Sequence, residues 1–225
     1  MHSTTSALLR VLQLLTCLLI GKIVGGVLLS YRDYMPPDFA AEFLQGRENY
    51  FWGGYSWAFY LHVTSGPASL VLGMILLSER FRLRFSRWHR ILGRIQVANV
   101  LLLVVPSGLW MSWYAMTGRV AGSGFAALAV VTGMCAAFGW RAAMRRRFDV
   151  HRLWMLRCYV LLCSAVVLRL MGGVVLLAEI EGEWTYAFSA WTCWLVPLAI
   201  LELTRLGLRK RELPTTPSVS VSRSQ

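Results

Sequence analysis

Six stretches of roughly 20 apolar residues, each followed by a short polar connection, divide the chain. They run Leu8–Ser30, Ser56–Ser78, Gly93–Met116, Gly124–Met144, Leu153–Ala178 and Thr185–Leu206. About 20 residues is the length a helix needs to cross a hydrocarbon core. None of the runs alternates with the period of two that marks a half-buried strand. Lipid offers no partner to an unpaired backbone group, so each run is expected to be helical. The predicted fold is all-α: a polytopic integral membrane bundle of six transmembrane helices occupying residues 1–212, with no soluble domain. The fourth run is the least apolar, because it carries Thr132, Gly133 and Gly139. Arg10, near the start of the first run, precedes an apolar stretch and could open a signal peptide. The apolar stretch continues to Leu29, however, and Thr16 stands before Cys17 where a lipoprotein signal wants a smaller residue, so an uncleaved helix is expected.

Composition agrees with this and removes other classes. Hydrophobic residues make up 56% and charged ones 15% of the chain, against roughly 45–50% and about 25% in soluble domains. A soluble fold this apolar could not cover itself, which sets aside an ordinary cytosolic enzyme. The five cysteines, Cys17, Cys135, Cys158, Cys163 and Cys193, all fall inside predicted helices without a C-x-x-C pair. They read as small hydrophobes, not as a disulfide framework.

The net charge of +12 is distributed by side. The connection after the second run holds Arg80, Arg82, Arg84, Arg87, Arg90 and Arg94 against Glu79. The one after the fourth holds Arg141, Arg145, Arg146, Arg147, Arg152 and Arg157 against Asp149, and Arg205, Arg209, Lys210 and Arg211 follow the sixth. The first connection instead carries Asp33, Asp38, Glu42 and Glu48 against Arg32 and Arg47, and the fifth carries Glu179, Glu181 and Glu183. Basic connections lie on the cytoplasmic side, so both termini are expected there, with the protein in an inner membrane. Trp52, Trp57, Trp88, Trp110, Trp113, Trp140, Trp154 and Trp184 fall near predicted helix ends, where aromatic belts form.

Two stretches lie outside the helices. Tyr31–Tyr55 is aromatic-rich, and Asp38 could cap a short helix through Glu42 and Leu44, with Phe39 and Phe43 on one face. Such a helix would lie over the outer mouth or act as a lid. Residues 213–225 are short, polar and rich in Ser, Thr and Pro, the composition of a disordered tail.

Two related strings sit at the cytoplasmic edge, Trp88-His89-Arg90-Ile91-Leu92-Gly93-Arg94 and His151-Arg152-Leu153-Trp154-Met155-Leu156-Arg157. Together with His62, Gly73 and Arg169, in this order and spacing, they resemble a family of bacterial membrane proteins catalogued as domain of unknown function 2306, over roughly Tyr60 to Leu170. The resemblance implies a bacterial multi-pass membrane protein and carries no assigned activity.

The candidate chemistry follows from these polar groups. His89, Arg90, Arg94, His151, Arg152 and Arg157 stand among many arginines and few carboxylates, which favours an anion over a metal cation. They read either as topology determinants resting on acidic lipid headgroups or as a pocket for an anionic lipid, a quinone head or a phosphorylated small molecule. Arg169 lies about 24 Å along its helix from Leu153 and roughly 13 Å from its outer end, while His62 lies roughly 9 Å below the start of its own. The two could meet at similar depth, with backbone carbonyls, Tyr60 or a bound anion completing an intramembrane polar site. Alternatively Arg169 snorkels to the headgroups, as Lys22 is expected to.

Other classes receive less support. A haem would need two histidines at one depth, and only His89 with His151 at the cytoplasmic edge could supply them, so the cofactor stays unknown and a redox protein is an alternative reading. A transporter would want broken helices, for which Ser65-Gly66-Pro67 and Pro106-Ser107-Gly108 are the candidates. No nucleotide-binding, hydrolase or zinc-protease motif is present, so an enzyme is disfavoured. The basic connections are too short and too close to the bilayer for nucleic acid. Gly21 with Gly25, and Gly172-Gly173, are expected to mark close helix packing. Membrane lipids are the expected partners; substrate and oligomeric state do not follow.

Overall fold

A computed structural model describes residues 2–41, 43–115, 118–180, 182 and 184–212. The predicted tail at residues 213–225 lies outside them. The described residues form α1 (His2–Leu29), α2 (Glu48–Leu77), α3 (Ser86–Ser112), α4 (Arg119–Met144), α5 (Phe148–Leu177) and α6 (Trp184–Glu212), and they contain no strand. Among them α2 to α6 are long and apolar enough to cross a membrane, α6 over Trp184–Gly207. Several helices start earlier than hydropathy alone implies. Ser86 rather than Gly93 opens α3, whose first turns hold Arg87, Arg90 and Arg94 exposed. Charged side chains there lower the hydropathy, but the backbone ladder still has to be closed before the chain enters lipid.

The connections gather at two ends. One, the aromatic end, holds residues 30–47 and the α3–α4 and α5–α6 turns. The other, the arginine end, holds a short helix at Glu79–Arg84 and the tight turn at residues 145–147. The helix expected from Asp38 is replaced by successive turns: the Ala40 amide donates to Asp38 Oδ1, and the Leu44 and Gln45 amides donate to the Ala41 carbonyl. Glu42 lies outside the described residues. Gly46, with φ +75°, supplies a left-handed bend just before α2.

α4 is the centre of the bundle and packs on α3, α5 and α6. Its buried face is built of small residues, Ala121, Gly124, Ala129, Thr132, Gly133, Cys135, Ala136, Gly139 and Ala142. The expectation that the fourth run is the least apolar is not met: the mean hydropathy of α4 is 1.8, above the 1.5, 1.6 and 1.4 of α2, α3 and α6, because alanine, valine and cysteine offset its glycines and threonine. The small side chains of this face let neighbouring helices approach closely in lipid. A Cβ on Gly139 would lie 2.6 Å from Met155 Sδ, and one on Gly124 3.0 Å from Trp191 Nε1. Gly73 on α2 is pressed against the Tyr159 ring in the same way. By contrast, a Cβ at Gly21, Gly25, Gly172 or Gly173 would meet nothing within 4 Å, which corrects the expectation for those four. Cys135, Cys158 and Cys193 are buried in the core and all the cysteines are free thiols.

The two candidate breaks that a transporter would want, at Pro67 and Pro106, leave their helices continuous. α2 runs unbroken through Pro67, and the Val63 carbonyl, which loses its partner at Pro67, accepts instead from the Tyr31 hydroxyl at 2.6 Å. In α3 a wider π turn at Val100–Val104 leads directly into Pro106. α1 packs on α2 and the later half of α5. Leu14, Leu15, Leu18 and Lys22 are exposed on it.

Candidate functional site

Inside the aromatic half of the bundle lies a cavity of about 270 Å³, to which all six helices and the 30–47 segment contribute. That is near the lower end of the range for small-molecule sites. Its wall is mostly aliphatic and aromatic, and the described lining contains no Asp or Glu. Three basic side chains reach it, Arg47, His62 and Arg169.

Arg47 comes from the segment that precedes α2 and is only 4% exposed. Its guanidinium donates to the Phe43 carbonyl at 2.7 Å, the Tyr50 hydroxyl at 3.1 Å and the Tyr114 carbonyl at 3.2 Å. It also sits over the Phe43 and Tyr55 rings, 4.7 and 5.4 Å from their centroids. Around it Leu44, Phe51, Tyr55 and Phe59 form a second buried cluster, an aromatic cap on the cavity. Tyr60 belongs to this cap, donating to the Tyr34 carbonyl at 2.8 Å, and does not complete a His62 site. Burial raises the Tyr31 hydroxyl, bonded to the Val63 carbonyl, above its ordinary range.

His62 and Arg169, paired by depth in the sequence, do line the same cavity. The partner of His62 is Ser107, Nδ1 to Oγ at 3.1 Å. The Ser107 hydroxyl hydrogen is directed at the Leu103 and Val104 carbonyls. Ser107 therefore accepts from an Nδ1–H tautomer, which leaves the His62 Nε2 lone pair free. Arg169 donates to the Ala165 carbonyl of its own helix at 3.1 Å. It is exposed as well as lining the cavity. Neither Arg47 nor Arg169 has a carboxylate partner among the described residues.

The arginine end is arranged differently. His89 and His151 come close enough to interact electrostatically. His151 Nδ1 lies 2.9 Å from the Gly139 carbonyl, an acceptor only, so it is protonated there and Nε2 is free. Glu79 bridges the two basic connections, 2.8 Å from Arg82 in its own short helix and 3.9 Å from Arg152 in the second His-Arg string. Arg157 leaves the expected anion cluster: its fork is bound to Glu202 at 2.6 and 2.8 Å and covered by Trp154 at 4.5 Å. Arg90 and Arg94 are exposed and without an ion-pair partner among the described residues. No group of three or more His, Cys, Asp or Glu among those residues is placed to hold a metal.

A family described as predicted membrane protein, DUF2306, has a model that matches residues 59–205. The chain belongs to this family. The DUF2306 region takes in His62, Ser107, Arg169, both His-Arg strings and the Arg157–Glu202 pair, and it leaves out α1 and Arg47. A search of curated proteins and of solved structures finds no match. Membership in DUF2306 makes the chain a membrane protein and assigns it no activity.

Sequence reasoning missed Arg47, Ser107 and Glu202. Arg47 looked like one more charge in a loop, and nothing local distinguishes it from Arg32. Ser107 was noticed only beside Pro106. Glu202 carried a signal that could have been used, a lone carboxylate inside an apolar run, since such a group needs a partner within the bundle.

Proposed function

We propose that this DUF2306 member is a six-span protein of a bacterial inner membrane, with both termini cytoplasmic. Its function would be to bind an amphiphile with an anionic head in the cavity near its outer face. The observation that carries the reading is two permanent cations, Arg47 and Arg169, on a mostly apolar cavity whose described lining has no carboxylate. A cation within the bilayer is costly unless it is paired, and an anionic head between the two guanidiniums would supply that pairing with the charge-assisted geometry arginine favours. The apolar wall suits an acyl or prenyl tail, and His62 Nε2 adds an acceptor for a protonated oxygen on the ligand. A neutral quinone head would use His62 but leave both charges uncompensated, so an acid is the better fit. The reading of α1 as the sixth span rests on its 28-residue helix and exposed leucines.

A second reading concerns the arginine end, where Arg90 and Arg94 are exposed with no ion-pair partner among the described residues. Together with His89, His151 and Arg152 they would rest on acidic headgroups of the cytoplasmic leaflet.

The test is mass spectrometry of everything that co-purifies with the protein in mild detergent, with an optical spectrum of the same sample. An acidic amphiphile should be retained by the wild type and reduced at least tenfold in Arg169→Leu, about 1.4 kcal/mol of binding. Equal retention in Arg169→Leu, or a Soret band in place of a lipid acid, would overturn the reading.

A further inference from the structure

The cavity holds more hydrogen-bond donors than its own walls can satisfy. Arg47 directs Nε at the Phe43 carbonyl and Nη1 at the Tyr50 hydroxyl and the Tyr114 carbonyl. Both hydrogens on Nη2 are left without an acceptor among the described residues. Arg169 gives a single N–H to the Ala165 carbonyl and keeps the rest of its fork. Two phenols accompany Arg47. Tyr55 of α2 has its ring centre 5.4 Å from the guanidinium, and Tyr186 of α6 packs edge-on against Phe125. Arg47, Tyr55 and Tyr186 all line the cavity, and each is close enough to the other two to interact electrostatically.

Neither phenol hydroxyl bonds to another described residue. Tyr55 is only 1% exposed and Arg47 only 4%. Even so, Tyr55 Oη and Arg47 Nη2 are not among the buried polar atoms that are closed off without a partner. They border open space, and the space both residues line is the cavity.

Charge and donor number discriminate between anionic heads. The Arg47 and Arg169 guanidiniums face no carboxylate in the described lining, so a head with nearly two negative charges balances them. An ionised carboxylate brings one charge and roughly four acceptor sites. A phosphate monoester brings a charge of about −1.5 to −2 at neutral pH and three strong acceptor oxygens. His62 separates the two further, because its free Nε2 needs a hydrogen and an ionised carboxylate has none. A phosphate monoester, whose second pKa is about 6, carries charge and an O–H together. Size restricts the tail. A cavity of about 270 Å³, near the lower end for small-molecule sites, suits a compact head and one chain, not the two chains of a phospholipid.

We infer that the ligand of this cavity is a single-chain phosphate monoester, an inference that rests on the anionic-amphiphile reading above. Arg47 Nη2 and Arg169 bind its terminal oxygens, Tyr55 and Tyr186 donate to the acceptor sites that remain, and the chain lies along the apolar wall. The phenols set the preference for phosphate: a carboxylate is already saturated by the two guanidiniums, whereas a phosphate loses a partner with each hydroxyl removed.

Native mass spectrometry of the full chain in mild detergent at neutral pH tests this, with dodecyl phosphate, dodecanoate, dodecanol, inorganic phosphate and dipalmitoyl phosphatidic acid as probes. Dodecyl phosphate should bind at least tenfold more tightly than each of the others. The double variant Tyr55→Phe/Tyr186→Phe should lose at least fivefold in affinity for dodecyl phosphate and less than twofold for dodecanoate. An unchanged unfolding temperature and a monodisperse elution profile establish that it is folded, and Tyr186→Phe alone carries the same test if it is not. Dodecanoate or phosphatidic acid bound as tightly as dodecyl phosphate would overturn the inference and leave the anionic-amphiphile reading standing. So would an undiminished phosphate preference in the folded variant, or an equal loss for both acids. Dodecanol bound as tightly as the acids, or no probe bound by the wild type, would overturn both.

Discussion

The two ends of the bundle handle positive charge in opposite ways. At the arginine end the cation deepest in the helices, Arg157, is matched by Glu202 through two short hydrogen bonds, and Glu79 ties Arg82 to Arg152. The surplus arginines there are left exposed. At the aromatic end Arg47 is buried among rings and carbonyls, and Arg169 bonds only its own helix, with no carboxylate for either among the described residues. Paired cations lock helices together. Unpaired ones beside a cavity create a demand for an anion, which is why the aromatic end is the stronger candidate for binding.

The contrast can be broken first at its tightest point. Glu202→Ala strands the Arg157 fork beside Trp154, and breaking a buried pair costs 3–5 kcal/mol when both partners are fully buried. These side chains are 20% and 35% exposed, so a loss of about 2 kcal/mol is expected, read as a lower unfolding temperature in detergent. The double variant Arg157→Leu/Glu202→Leu should recover most of it; equal damage in both would mean that the pair itself is not what holds α5 to α6.

Gly73→Ala probes the close packing of α2 against α5. The added methyl would press into the Tyr159 ring, itself bonded to the Leu70 carbonyl at 3.3 Å. Overpacking of this kind costs about 1–3 kcal/mol, and Gly21→Ala, which meets nothing, should leave the unfolding midpoint unchanged.

At the aromatic end Tyr31→Phe removes the donor that satisfies the Val63 carbonyl above Pro67. A loss of about 1 kcal/mol is expected, visible as faster hydrogen exchange in α2 around Val63. The smallest effect belongs to Arg90→Ala with Arg94→Ala, exposed and unpaired: stability should move by less than about 0.5 kcal/mol. Affinity for vesicles rich in acidic lipid should nevertheless fall. An intact affinity would leave these arginines as markers of orientation alone.

Much of this molecule was legible before its structure. The apolar runs marked the helices, but the fourth, expected to be the least apolar, is more apolar than α2, α3 and α6 and forms the central helix. His62 and Arg169, which helical rise put at similar depth, line one cavity but bond to different partners. The expected Asp38 helix was not found, because turn hydrogen bonds from Asp38 and Ala41 satisfy that segment without it. Arg157 was assigned to an anion site because its partner, Glu202, lies 45 residues further on.

What the sequence determined by itself is one-dimensional: the order of the helices, and which connections are basic. Those depend on the run of residues along the chain and on its charges, not on neighbours in space. Only the tertiary structure decided which polar groups meet. Arg47 reaches Tyr114 across 67 positions, and His62 reaches Ser107 across 45. A helix in water advertises its inward face by being apolar on one side only. A helix in lipid is apolar all round, so its rotation is set by close-packed small residues and a few polar pairs that form only when the bundle does.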